Sequence, residues 1–232
     1  ASHPLKKETQ VHLPSDTLPF LNELKQHNNR EWFHDHKPRF VALQTQLYDF
    51  IDALISEIAS IAPEHMGIEA KQCLFRIHKD ARFSKDKTPY KTHFGIHIAP
   101  SGHRADFGRA GFYLHIEPNA SMIGGGAHAP SSAWLQCIRQ EIALNGQVLE
   151  HLLDDPTFKK WFGALRGDVL KRPPAGYTVD SPHLSLLKHK ALWVQHDVSD
   201  AQLSDADFVS HFAEAFSVYR PFQTFLNETS DH

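Results

Sequence analysis

Arg76 and His78, His93 and His97, and Tyr113, His115 and Glu117 stand at alternating positions of three short stretches in mid-chain. Histidine exchanges a proton near neutral pH, and a neighbouring phenol or carboxylate can share that work. Tyr113, His115 and Glu117 are therefore candidates for general acid–base catalysis. Histidine also ligates metals. His93 and His97 form an HxxxH pair, which chelates from a helix but on a strand is spread over about 13 Å, at ~3.3 Å per residue. A cross-strand set such as His97, His115 and Glu117 stays open, but the chain has no HExxH motif and no metal site is assigned. No GxSxG elbow supports nucleophilic catalysis, and Cys73 falls among apolar positions.

The second chemical feature is a basic stretch. Between Lys71 and Lys91 there are seven Lys or Arg against two Asp, a local charge of +5 on a chain of net charge −3. Such a cluster attracts anions, and Arg grips a phosphate or carboxylate with two parallel hydrogen bonds. Arg76, Arg82, Lys85, Lys87 and Lys91 are the candidate anion-binding side chains. Phe83, Pro89 and Tyr90 within the stretch argue for a packed loop. The third feature is Gly124-Gly125-Gly126, ahead of a helix expected after Pro130. Backbone N–H groups of such a run, with a helix N-terminus behind them, suit an anion. Neither a P-loop nor a GxGxxG pattern accompanies it.

These residues need elements to position them. Phe75 and Ile77, then Phe94, Ile96 and Ile98, then Phe112, Leu114 and Ile116 form apolar rows at period two, with the polar row on the opposite face. Strands are expected over 73–78, 93–98, 111–117, 120–124 and 191–196. Pro118-Asn119 supplies a tight turn, and the short links favour antiparallel pairing. The polar face is either solvated or the floor of a ligand cleft.

The flanks read as helical. Ser15 or Asp16 caps a helix carrying Leu18, Leu21 and Leu24, His27-Asn28-Asn29 breaks it, and Arg30 opens a second piece. From Pro38, the residues Phe40, Leu43, Leu47, Phe50, Leu54 and Ile58 lie on one helical face that Pro63 ends. Further helices are expected after Pro130, over 147–153, over 156–165 and from about Asp205 to Phe225, with Pro221 as a kink. The fold class is thus α+β: an antiparallel meander of about five strands packed with N- and C-terminal helices. The expected organisation is a flexible arm over 1–15 and one domain over 16–228.

Composition bounds the rest. Hydrophobic residues are 41% of the 232-residue chain, enough to build a core without a metal or disulfide staple. Cys73 and Cys137 belong to no CxxC or zinc pattern and read as buried thiols. No apolar run is long enough to span a bilayer, and the expected setting is cytoplasmic with no membrane partner.

The stretch Phe75-Arg76-Ile77-His78-Lys79-Asp80-Ala81-Arg82-Phe83-Ser84-Lys85-Asp86-Lys87-Thr88-Pro89-Tyr90-Lys91 resembles the central signature of the bacterial and fungal family called domain of unknown function 2461. Asn29-Arg30-Glu31-Trp32-Phe33, the Gly111–Pro118 stretch with its triple glycine, Leu170–Tyr177 and Leu187–Lys190 are similar too. The resemblance spans about residues 18 to 228. It implies one domain and a cytosolic setting, and it brings no activity or cofactor. It also implies that Lys171, Arg172, Tyr177 and Lys188 join the basic segment. Three functions stay open: binding or turnover of a phosphorylated or carboxylated small molecule, nucleic-acid binding, or a non-enzymatic interaction role in which Asp80 and Asp86 pair with neighbouring cations.

Overall fold

The computed structural model describes residues 11–229, so most of the arm expected over 1–15 lies outside the described residues. Of the rest of that stretch, Leu13 is packed into the core. Three helices come first among the described residues: α1 (Thr17–Gln26), α2 (Arg30–Asp35) and α3 (Lys37–Ile61). Asp16 stands at the N-cap of α1, but its carboxylate turns away to receive both arms of Arg39, at 2.8 Å each. Asn29 does cap α2, accepting from the Trp32 N–H. Helix α3 buries Leu43, Leu47, Phe50, Leu54 and Ile58 along one stripe, as the spacing requires. Pro63 then opens a short 3-10 turn, and α4 (Ala70–Cys73) follows.

The sheet comes next. Strands β1 (Phe94–Ile98), β2 (Phe112–Ile116), β3 (Ser121–Ala127) and β4 (Leu192–Val198) pair antiparallel in sequence order. Between β3 and β4 run α5 (Ser132–Asp154), α6 (Pro156–Phe162) and α7 (Leu184–Leu187). The helix expected over 147–153 is the second half of α5, set off by a kink at Asn145, whose backbone is not helical. After β4 come α8 (Asp200–Leu203) and α9 (Phe208–Glu228), and Pro221 lies within α9.

The class is α+β, with four strands among the described residues rather than about five. The stretch 73–78, expected as a strand, makes only isolated bridges, Leu74 to Ile96 and His78 to Tyr90. It leaves α4, touches the β1 edge through Phe75 N–H to Gly95 O, and then turns away to pair with residues 89–91. An extended chain that changes partner midway shows period two without building a ladder. Phe75 accordingly leaves the apolar row in which the alternation had put it with Ile77. Leu74 and Ile77 enter the core, whereas Phe75 turns to the other face of the sheet.

Phe94, Ile96, Ile98, Phe112, Leu114 and Ile116 bury one sheet face against the helices. Phe94 lies against Phe20 of α1 and Phe40 of α3, and Phe112 packs on Phe212, Phe216 and Tyr219 of α9. Tyr219 reaches through this layer and donates its hydroxyl to Gly111 O at 2.7 Å. Gly125 makes room for it: a Cβ there would stand 2.5 Å from both the Tyr219 hydroxyl and Gly111 O. Gly125→Ala must push backbone and a fully buried ring apart. The expected loss is about 1–3 kcal/mol in urea unfolding. A stability equal to that of the parent chain would contradict this packing.

Candidate functional site

Alternation sends Gly95 and His97 of β1, Tyr113 and His115 of β2, Met122, Gly124 and Gly126 of β3, and Trp193 and Gln195 of β4 to the face without helices. The loop between β1 and β2 covers part of that face. Its Phe107 stacks on Phe75 at 6.2 Å and on His97 at 5.5 Å. What remains open is a cleft of about 570 Å³, a size suited to a small molecule. The polar face is thus a partly roofed cleft.

Its floor is low because glycines line it. Aromatic walls stand on the two sides: Phe75 and Phe107 by β1, Trp193 with His128 by β4, where the two rings lie 5.0 Å apart. Arg166 lies over the Trp193 ring at 5.6 Å and helps fix it. Lys91, Arg109, His93, His97 and His128 also line the cleft, and no Asp or Glu is found among the described residues that do. Lys91 is held by Arg76 O at 2.7 Å and sits 5.5 Å from the Phe75 ring. Burial, together with Arg76 nearby, lowers its pKa.

Of the three candidate acid–base residues, Tyr113 lines the cleft, while His115 and Glu117 follow it along β2. The Tyr113 hydroxyl is 2.8 Å from His115 Nδ1, and His115 Nε2 is 3.4 Å from Glu117 Oε1. Burial pushes the Tyr113 phenol up to about 12, so at neutral pH it is protonated. His93 stacks on His115 with ring centroids 4.2 Å apart. Burial, then the neighbouring His115, lowers His93 to about 4. One donor atom each from His93, His115 and Glu117 lie within 4.8 Å of one another.

His97, which the sequence offered as a partner for His115 and Glu117, is elsewhere. Its Nδ1 contacts Arg104 O at 2.8 Å. The register explains the exchange. Phe94 pairs with Ile116 and His97 with Tyr113, so one step beyond the strand His93 faces Glu117. His93 belongs to the polar row of the strand expected over 93–98; its place opposite Glu117, one residue before β1, needs the register.

The basic segment forms a separate structure at the β1 edge. Asn28 clamps it to the helices, donating to Tyr90 O at 2.9 Å and accepting the Tyr90 N–H at 3.1 Å. Phe33 stacks on the Tyr90 ring at 4.2 Å. Arg82 is paired twice with Asp80, at 3.0 and 2.8 Å, Lys79 with Asp86 at 2.7 Å, and Lys87 with Ala81 O at 2.8 Å. These bonds hold Asp80 down to about 2 through Arg82, and Asp86 to about 2 through Lys79. Phe83, expected to pack the loop, is 94% exposed; Tyr90 does that packing. A larger groove of about 1500 Å³ lies between this segment and α2–α3, but Asp80 and Asp86 stand in it beside the cations they neutralise. The open sheet face is therefore the better candidate for a ligand.

Two other groups of candidates are placed apart. Lys171, Arg172 and Lys188 belong to the 166–190 segment. That segment borders β4 through the Arg166–Trp193 bridge, at the opposite edge of the sheet from the 74–91 segment. The triple glycine lies inside β3, where Gly124, Gly125 and Gly126 pair with Gln195, Val194 and Trp193. It is not a loop before α5, whose N-cap is Ser131. Glycine is required there by close approach of β4: a Cβ at Gly124 would meet Val194 O at 2.4 Å. Of the thiols, Cys73 is buried and pushed up to about 12 by burial, and Cys137 is partly exposed.

The family described as Conserved hypothetical protein (DUF2461) matches residues 16–225. The chain belongs to this family. No curated protein and no solved structure matches it. Among the described residues no helix is long and apolar enough to cross a membrane. Within the family signature, Asp80 and Asp86 make loop contacts rather than lining the cleft.

Removing Asp86 tests that assignment. Asp86→Ala deletes the Lys79 pair and the bond from Thr88 N–H. Trypsin is expected to cut after Lys85 or Lys87 several times faster than in the parent, with circular dichroism unchanged. An unchanged cutting rate would show that these bonds do not order the loop.

Proposed function

We propose that the cleft on the open sheet face binds a small molecule that joins a carboxylate or phosphate to a flat apolar body. The observation that carries this reading is the composition of the lining. Lys91, Arg109 and three histidines line the cleft, over a floor of glycine between aromatic walls. Cations concentrated in a partly desolvated cleft favour an anion, and Phe75, Phe107 and Trp193 offer faces for a planar group. The anion-binding role read into the basic segment moves, on this view, to its last residue, Lys91. Arg82 and Lys87 serve the loop. Tyr113, protonated at neutral pH, donates a hydrogen bond to the ligand.

The self-pairing of Arg82 and Lys79 weighs against a loop that tracks a nucleic-acid backbone, because each phosphate contact would have to displace a carboxylate already in place.

Trp193 reports occupancy directly. Benzoate and phenyl phosphate are expected to change its fluorescence saturably, and Trp193→Phe to abolish the change. Benzyl alcohol, flat but neutral, should bind at least tenfold more weakly. Arg109→Gln should weaken the anions roughly ten- to a hundredfold, the loss of one charge-assisted hydrogen bond. Equal binding of benzoate and benzyl alcohol, or an unchanged affinity in Arg109→Gln, would overturn the reading.

A further inference from the structure

We propose that His93, His115 and Glu117 form a binding site for one divalent first-row transition-metal ion at the wall of the cleft. The site does not depend on which molecule the cleft takes.

The backbone builds it. Antiparallel register sets Gly95 opposite His115 and brings His93, the residue before β1, opposite Glu117. His115 and Glu117 share a face because they are two apart on β2 and its continuation. The three donor atoms fall within 4.8 Å of one another. The His115 Nε2 to Glu117 Oε1 separation of 3.4 Å is long for a hydrogen bond. It matches the spacing of two ligands on a tetrahedral ion, about 3.4 Å for bonds near 2.1 Å.

Orientation is fixed from behind. A metal-bound imidazole commonly engages its second nitrogen with a fixed partner, which sets the ring and its tautomer. Here His115 Nδ1–H donates to the Tyr113 oxygen, 2.8 Å away, the tautomer that leaves Nε2 unprotonated for the ion. Gly95 allows it: a Cβ at that position would stand 2.9 Å from the Tyr113 oxygen. The His93 ring stacks on the His115 ring with centroids 4.2 Å apart, so the two imidazoles stand side by side at the site. Lys91 is the nearby cation, and its ammonium is turned to Arg76 O.

Two imidazoles and one carboxylate suit zinc, cobalt, iron or manganese better than calcium or magnesium, which prefer all-oxygen sets. Three protein ligands leave at least one position for water or a substrate atom. His93 lines the cleft itself, so an ion held there would stand beside any molecule bound on the sheet face.

The chain has 18 histidines, so binding alone decides nothing without site variants. Chelator-stripped protein is titrated with Zn²⁺ by calorimetry, and with Co²⁺ by visible absorption. One strong site is expected, weakened at least a hundredfold in His115→Ala and in Glu117→Gln and unchanged in His34→Ala. Tyr113→Phe keeps all three ligands and removes only the supporting hydroxyl; roughly a tenfold loss is expected. It remains informative should the ligand variants fail to fold. Absence of a strong site in the parent, or equal affinity in parent, Glu117→Gln and Tyr113→Phe, would overturn the proposal.

Discussion

A strand sends successive side chains to opposite faces, and in this protein the described helices cover one face of the sheet and leave the other open. That constraint creates core and cleft together. Phe94, Ile96, Phe112 and Leu114 cannot enter the helical layer without turning Gly95, His97, Tyr113 and His115 outward. A register slip of one residue would exchange the two sets and place imidazoles against α9, so hydrophobic burial specifies the site as firmly as it specifies the core. Tyr219 strengthens the lock by fastening α9 to Gly111 at the entry to β2.

The basic signature has a different physical character. Lys79 and Arg82 pair with carboxylates of the loop, Lys87 and Lys91 donate to carbonyls, and its attachment to the helices comes from Asn28 and from Phe33 stacked on Tyr90. The loop thereby delivers Lys91 and His93 to the cleft edge. A long charged motif can thus brace a loop and rejoin the sheet at the cleft edge.

Much of this was legible in the sequence. The apolar rows of β1 and β2 identified both faces, the stripe of α3 was readable residue by residue, and the polar row named Tyr113, His115 and Glu117. What escaped needed tertiary information. Residues 73–78 alternate like a strand because they are extended, but a ladder needs a continuous partner, which they lack. The strand expected over 120–124 stops at the first glycine of the run because glycine is a poor strand former, whereas β3 continues to Ala127. Only the approach of the Val194 carbonyl and the Tyr219 hydroxyl shows why a strand requires it. Likewise, membership in one family signature does not put Lys171 and Lys188 beside Lys91, since the strands between them separate the two edges of the sheet.

The central claim is that the open face of the sheet, rather than the charged loop, receives the ligand. The most direct measurement is a crystal structure of the protein grown with phenyl phosphate. The account predicts the ring over Gly124 between Trp193 and Phe107, with its anion in hydrogen-bonding reach of Arg109 or Lys91. An anion seated instead on Arg82, Lys85 and Lys87, with only water on the sheet face, would contradict it.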